Sequence, residues 1–132
     1  MNIALTAHDN KKKLMENLCV AYRHILLKHK VCATGTTGKL VEDATNIPVS
    51  KYLSGHLGGE QQLSAQVALN EIDLVIFLRD PLYQRQYEND SGSLVRLCDV
   101  HNIPMASNLA TAEALLLALD NGDLDWRNNM RR

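Results

Sequence analysis

The sequence predicts a three-layer α/β fold: a single mainly parallel sheet of five strands with helices on both faces. Three observations point to it. Apolar runs and helix-patterned stretches alternate five times along the chain, as expected of βα units joined by right-handed crossovers. The run LVIFL, Leu74 to Leu78, is apolar at every position, which suits a parallel strand covered on both faces. Most of the glycines and unusual polar residues fall in loops that directly follow the apolar runs, the places where open α/β sheets bind ligands.

The elements follow in order. NIALTA (Asn2 to Ala7) reads as a buried first strand. Leu14, Leu18, Ala21 and Ile25 then recur at helix spacing. KVCAT is a second strand ending in the turn GTTGK, and LVEDA is a short helix stopped at Asn46-Ile47-Pro48. VSKYL is a brief third strand, followed by the loop SGHLGGE and a helix over 61–70. After LVIFL comes a long polar loop, RDPLYQRQYENDSG, and then a helix marked by Leu94, Val95, Leu97, Cys98 and His101. IPMAS is the fifth strand. Ala112, Leu115, Leu116 and Leu119 mark a last helix closed by Asn121-Gly122. The polar tail carries Trp126 as its anchor. With no repeat and no linker, residues 1–132 read as one domain, long enough to bury a core without staples.

Composition excludes several function classes. A net charge of −1 gives no reason to expect nucleic acid or an anionic membrane as partner. The run Lys11-Lys12-Lys13 is mostly solvated helix surface. Cys19, Cys32 and Cys98 are odd in number and scattered, which suits a reducing compartment and offers no metal spacing. No apolar run approaches the ~18 residues of a membrane span. MNIALTAH is too quickly interrupted for a signal peptide. The expectation is a cytoplasmic protein.

Four loops carry the chemistry. TGTTGK, Thr34 to Lys39, follows a strand and opens a helix, so its backbone N–H groups and hydroxyls can cradle an oxyanion. Its glycine spacing and the residue after Lys39 rule out a Walker loop. A capped turn satisfied by its own threonines is the plainer alternative. Ser54 and Gly55 in the next loop and Lys12 across the mouth favour phosphate. His8 and Asp9 stand just past the first strand and Asp80 just past the fourth, while Glu60 and Asp90 are further acids. Capping and turn formation are the structural roles open to Asp9, Asp80 and Asp90. Carboxylates beside a phosphate seat would suit general base chemistry. His24, His29 and His101 read as structural.

The blocks IALTAHDNKK, ATGTTGKL, SGHLGGEQQ, LVIFLRDPL, RLCDVHNIP and SNLATAEAL, in this order, resemble the methylglyoxal synthase family over essentially the whole chain. The resemblance implies a flavodoxin-like α/β shape, usually a homohexamer. It also implies conversion of dihydroxyacetone phosphate to methylglyoxal and inorganic phosphate without metal or organic cofactor. Carried over, Lys12, Thr34, Gly35, Thr36, Thr37, Ser54 and Gly55 hold the phosphate, and His8 and Asp9 line the pocket. Asp80 and Asp90 match two further family aspartates, and Arg127 corresponds loosely to a family arginine near the site.

The chain departs from the family pattern at three places. The family loop reads S-G-P-x-G-G-D-Q-Q with its Asp as catalytic base; here that position is Glu60, and His56 replaces the proline. After DPL the family carries a Pro-His pair, where this chain has Gln86-Tyr87. Two readings follow. In the first, Glu60 is the base of a rebuilt site, with His56 compensating for the imidazole lost at Tyr87. In the second, catalysis has decayed to a phosphate or sugar-phosphate binder, as in the regulatory domain of carbamoyl phosphate synthetase. The retained His8, Asp9, Asp80 and Asp90 favour the enzyme, since extra carboxylates beside an anion weaken its binding.

Overall fold

A computed structural model of the chain describes residues 1–54, 57–82 and 89–130, with the backbone alone over 89–93. The strands are β1 (Asn2–Ala7), β2 (Lys30–Ala33), β3 (Val49–Lys51), β4 (Leu74–Leu78) and β5 (Met105–Ala106). The helices are α1 (Lys12–Ala21), α2 (Arg23–Leu26), α3 (Gly35–Thr45), α4 (Gly59–Ala68), α5 (Asn89–His101) and α6 (Leu109–Asp120), with a 3₁₀ turn at Asp125–Asn129. Every pairing is parallel and the strand order is β3-β2-β1-β4-β5.

Side-chain alternation along the strands builds two cores. Ile3, Leu5, Leu74, Ile76 and Leu78 point to one face, where α1, α2, α3 and α6 cover them through Met15, Leu18, Leu26, Val41 and Leu116. Ala4, Val75 and Phe77 point to the other, under Leu63 and Val67 of α4 and Leu94 and Cys98 of α5. Burial on both faces explains why β4 shows no apolar-polar alternation. Removing a side chain such as Phe77 or Ile76 from water contributes about 1.5–3 kcal/mol each.

The strand order puts the chemistry at one place. The chain steps from β1 to β2 to β3 with α1 and α3 on one face, then returns to the far side of β1 with α4 and α5 on the other. The direction therefore reverses between β1 and β4, and the crevice at the carboxyl ends there is the usual ligand site of such sheets.

Several elements differ from the sequence reading in informative ways. The first helix breaks at Tyr22 into α1 and α2, and Ala21 is exposed; the buried stripe is Met15, Leu18, Cys19, Ile25 and Leu26. GTTG is the first turn of α3 rather than a turn before it. Likewise α4 starts at Gly59, so Glu60 lies in a helix and not at a loop tip. Asn46, Asn70 and Asn102, each just past a helix, take the left-handed conformation, which asparagine tolerates better than other non-glycine residues. The tail is anchored by the fully buried Arg127, while Trp126 is 40% exposed.

Candidate active site

Two loops are clasped together at the carboxyl ends of β2 and β3. Gly35 N–H donates to Leu53 O at 3.1 Å, and Gly59 N–H donates to Ser54 O at 3.0 Å. The first residues of α3 and α4 are thus both hung on the Leu53-Ser54 segment. Neither contact tolerates a side chain. A Cβ on Gly35 would stand 2.8 Å from Tyr52 O, and one on Gly59 would stand 1.9 Å from Leu53 O. These glycines, which the sequence places in loops after the strands, are room for backbone. The result brings two positive helix ends to one segment, with Thr36 exposed in the first turn of α3 and Glu60 half-buried in the first turn of α4.

The threonines of the cradle differ in their bonding. Thr34, 3% exposed, shares a 3.1 Å hydrogen bond with Thr6. That contact ties the end of β2 to β1. Thr37 Oγ1 is buried and finds no hydrogen-bond partner among the described residues. A buried hydroxyl in that state costs about 1–3 kcal/mol.

The second cluster forms across β1 and β4. His8 N–H donates to Leu78 O at 3.1 Å, extending the ladder past the strand ends. The His8 ring meets Phe77 edge-on, 5.2 Å between centroids and 82° between planes. Asp80 N–H donates to His8 Nδ1 at 2.8 Å. The Asp80 carboxylate in turn accepts from Leu82 N–H at 2.9 Å and from Asn10 Nδ2 at 2.8 Å. Lys12, its side chain 17% exposed, donates to Asp9 Oδ1 at 2.5 Å.

The structure therefore brings His8, Asp9, Lys12, Thr34, Gly35, Thr36, Thr37, Ser54, Glu60 and Asp80 to the carboxyl ends of β1 to β4. Asp90 stands in the first turn of α5, on the chain that follows β4. Gly55, His56 and Tyr87 lie outside the described residues. Arg127 is a correction. Its guanidinium lies at the amino ends of the strands, 3.4 Å from Asp73 and bonded to Asn70 Oδ1, Ile72 O and His101 O. A side chain that is 0% exposed and held by four groups cannot reach the crevice at the other end of the sheet.

Sequence reasoning missed three contributors. Thr6 was visible as the one hydroxyl in an apolar strand. Asn10 gave no signal of its own. Arg79 sits over the Phe77 ring at 5.9 Å, adding a cation next to Asp80. The thiols take no part: burial pushes Cys19 and Cys98 up to about 12, far from a reactive thiolate. Among the described residues, no group of His, Cys, Asp and Glu could hold a metal ion. A cavity of about 470 Å³ opens elsewhere, among Lys30, Val31, Glu42, Ile47 and Val49, and contains none of the site residues.

Comparison with known proteins decides the family. The model of the MGS-like domain family matches residues 16–107. The chain belongs to the methylglyoxal synthase family. A methylglyoxal synthase from Caldicellulosiruptor saccharolyticus is 58% identical over 127 residues, covering 96% of this chain and 90% of that protein. One from Alkaliphilus metalliredigens is 56% identical over 131 residues, covering 99% and 98%. A crystal structure of methylglyoxal synthase from Elizabethkingia anophelis NUHP1 superposes with a TM-score of 0.81 at 43% identity, over 87% of this chain and 76% of that one. The chain is accordingly an enzyme of the lyase class.

Proposed function

We propose that this synthase converts dihydroxyacetone phosphate to methylglyoxal and inorganic phosphate, with Glu60 as the base. The observation that carries the reading is the shared suspension of α3 and α4 on Leu53-Ser54. It sets a half-buried carboxylate at the start of one helix beside an anion cradle at the start of the next. Gly35, Thr36 and Thr37 offer N–H and O–H groups to the phosphate, and Ser54, Gly55 and Lys12 complete the seat. An acceptor oxygen at Thr37 Oγ1 would relieve its unpaired burial.

In this scheme Glu60 removes a proton from the hydroxymethyl carbon, and the electron pair moves into the enediolate. The two enediolate oxygens need donors already in place, and His8 lies across the crevice to supply one. The C–O bond to phosphate then breaks, its electrons leaving with the phosphate. The cradle holds that bond perpendicular to the enediolate plane, which favours elimination over simple isomerisation. The resulting enol takes a proton at its methylene carbon and becomes methylglyoxal. Asp9 and Asp90 flank the site, and His56 offers an imidazole in the loop where the family has proline. No step uses a metal or an organic cofactor.

Two further expectations belong to the same proposal. The buried thiols suit the reducing cytoplasm, and among the described residues no helix is long and apolar enough to cross a membrane. Leu53, Leu57 and Leu82, exposed beside the strand tips, suit burial between subunits of a homohexamer. The purified chain, given dihydroxyacetone phosphate, should release methylglyoxal and phosphate in equal amounts. Tight phosphate binding with no turnover would replace the synthase with the sugar-phosphate binder.

A further inference from the structure

We propose that Asp80 is a positioning residue: it aims its own backbone N–H at His8 Nδ1, so that the imidazole carries its proton on Nε2 and presents that N–H to a substrate oxygen. The inference rests on the reading of the strand tips as a sugar-phosphate site.

A peptide N–H only donates, and Asp80 N–H approaches His8 Nδ1 to 2.8 Å. Nδ1 must then hold a lone pair, and the neutral ring keeps its proton on Nε2. A proton on Nδ1 would set two donors against each other. The His8 backbone is fixed independently by its N–H on Leu78 O, and the ring by its edge contact with Phe77.

The Asp80 carboxylate is what holds that peptide in place. Oδ1 accepts from Leu82 N–H and Oδ2 from Asn10 Nδ2. The first bond is the side-chain-to-backbone link of an Asx turn, with Pro81 between its ends. Leu82 is 86% exposed, so no packing of its side chain would set the turn without that bond. A carboxylate with both oxygens engaged by donors is a poor proton acceptor, which separates Asp80 from Glu60 in role. It also gives the site a neutral donor for the enediolate, set before substrate arrives.

Long-range ¹H–¹⁵N correlation spectra of the ligand-free protein labelled in histidine read the tautomer directly, with His8 assigned by its loss in His8→Gln. The expected pattern is an unprotonated Nδ1 and a protonated Nε2. Asp80→Asn keeps an acceptor for Leu82 N–H but loses the one for Asn10 Nδ2, so it should retain the tautomer and lower kcat about two- to fivefold, as expected of Asn10→Ala. Asp80→Ala frees the turn, mixes the tautomers and lowers kcat by roughly tenfold or more with KM little changed. If Asp80→Ala does not fold, Asn10→Ala at its exposed position should lower kcat about two- to fivefold, and an unchanged kcat there counts against the proposal. A proton on Nδ1 in the parent protein overturns it. So does an Asp80→Asn variant as inactive as Asp80→Ala with the tautomer intact, since the carboxylate would then be moving protons itself. The spectra need no substrate. A chain with the Nε2–H tautomer but no turnover would refute the synthase reading and leave this one standing.

Discussion

At the amino ends of the strands Arg127 is fully buried, and its guanidinium is engaged by Asp73, Asn70, Ile72 and His101. At the carboxyl ends Asp9 is 89% exposed, a buried threonine hydroxyl has no partner among the described residues, and two glycines exist because backbone leaves no room for a Cβ. The same sheet separates two uses of polarity. Where charge is paired inside the chain, it fixes the tail and the strand starts, although Arg127 Nε and Asp73 Oδ1 face each other at 3.4 Å as an ion pair with no hydrogen bond to either atom among the described residues. At the carboxyl ends the exposed Thr36 and the buried Thr37 hydroxyl can be offered to an anion, and local rules of packing give way to function.

This contrast can be broken from either end. The largest effect should come from Arg127→Met. It leaves Asp73 buried without its cation, a change that costs about 3–5 kcal/mol, while kcat/KM per folded molecule stays near the parent value. Denaturant midpoints and initial rates on the same sample check both halves. If activity falls with stability unchanged, Arg127 belongs to the site after all.

Gly59→Ala tests the carboxyl end. The new Cβ would sit 1.9 Å from Leu53 O, so the start of α4 must move. A shift of the order of 1 Å at Glu60 should lower kcat by roughly 10²-fold. Steady-state kinetics beside a fold check by circular dichroism distinguishes that from global unfolding.

Smaller again is Thr37→Val, which replaces a buried, unpaired hydroxyl with a methyl. Stability should hold or rise, whereas KM for the phosphate substrate and Ki for inorganic phosphate should rise about tenfold, the worth of one hydrogen bond to a charged group. A drop in stability with unchanged KM would mean that the hydroxyl serves the fold.

The smallest effect concerns pH at the amino end. Burial, helped by the N-terminal ammonium that lies 3.1 Å from its Nδ1, holds His29 below its ordinary value of 6.5. The unfolded chain therefore takes up the proton more readily, and stability from this group is present above pH 6.5 and is lost as pH falls through the lowered value. A modest fall in Tm on going from neutral to mildly acidic buffer should be weakened by His29→Gln.

The two ends also differed in how far the sequence disclosed them. The sheet, its five strands and the loops that carry the site were legible, because doubly buried strands leave unbroken apolar runs such as LVIFL and because glycine and threonine gather after them. Family resemblance named the candidate site residues, and ten of them lie at the strand tips. The partnering was not legible. Nothing in the order of residues says that Gly59 faces Leu53 O, or that the Asp80 carboxylate holds a turn while its peptide holds His8. Those facts depend on contacts across 6 residues in the first case and 72 in the second. Arg127 was misplaced for the same reason. Its sequence neighbours are polar and its partner Asp73 lies 54 positions earlier, so its complete burial left no local trace.

Glu60 is the group on which the proposed chemistry depends. The direct measurement is exchange of the hydroxymethyl hydrogen of dihydroxyacetone phosphate with D₂O, followed together with phosphate release, in the parent protein and in Glu60→Gln. The variant should lose both by roughly 10²- to 10⁴-fold while binding inorganic phosphate at least as tightly as the parent. Exchange that continues at the parent rate in Glu60→Gln would place the base elsewhere and contradict the central claim.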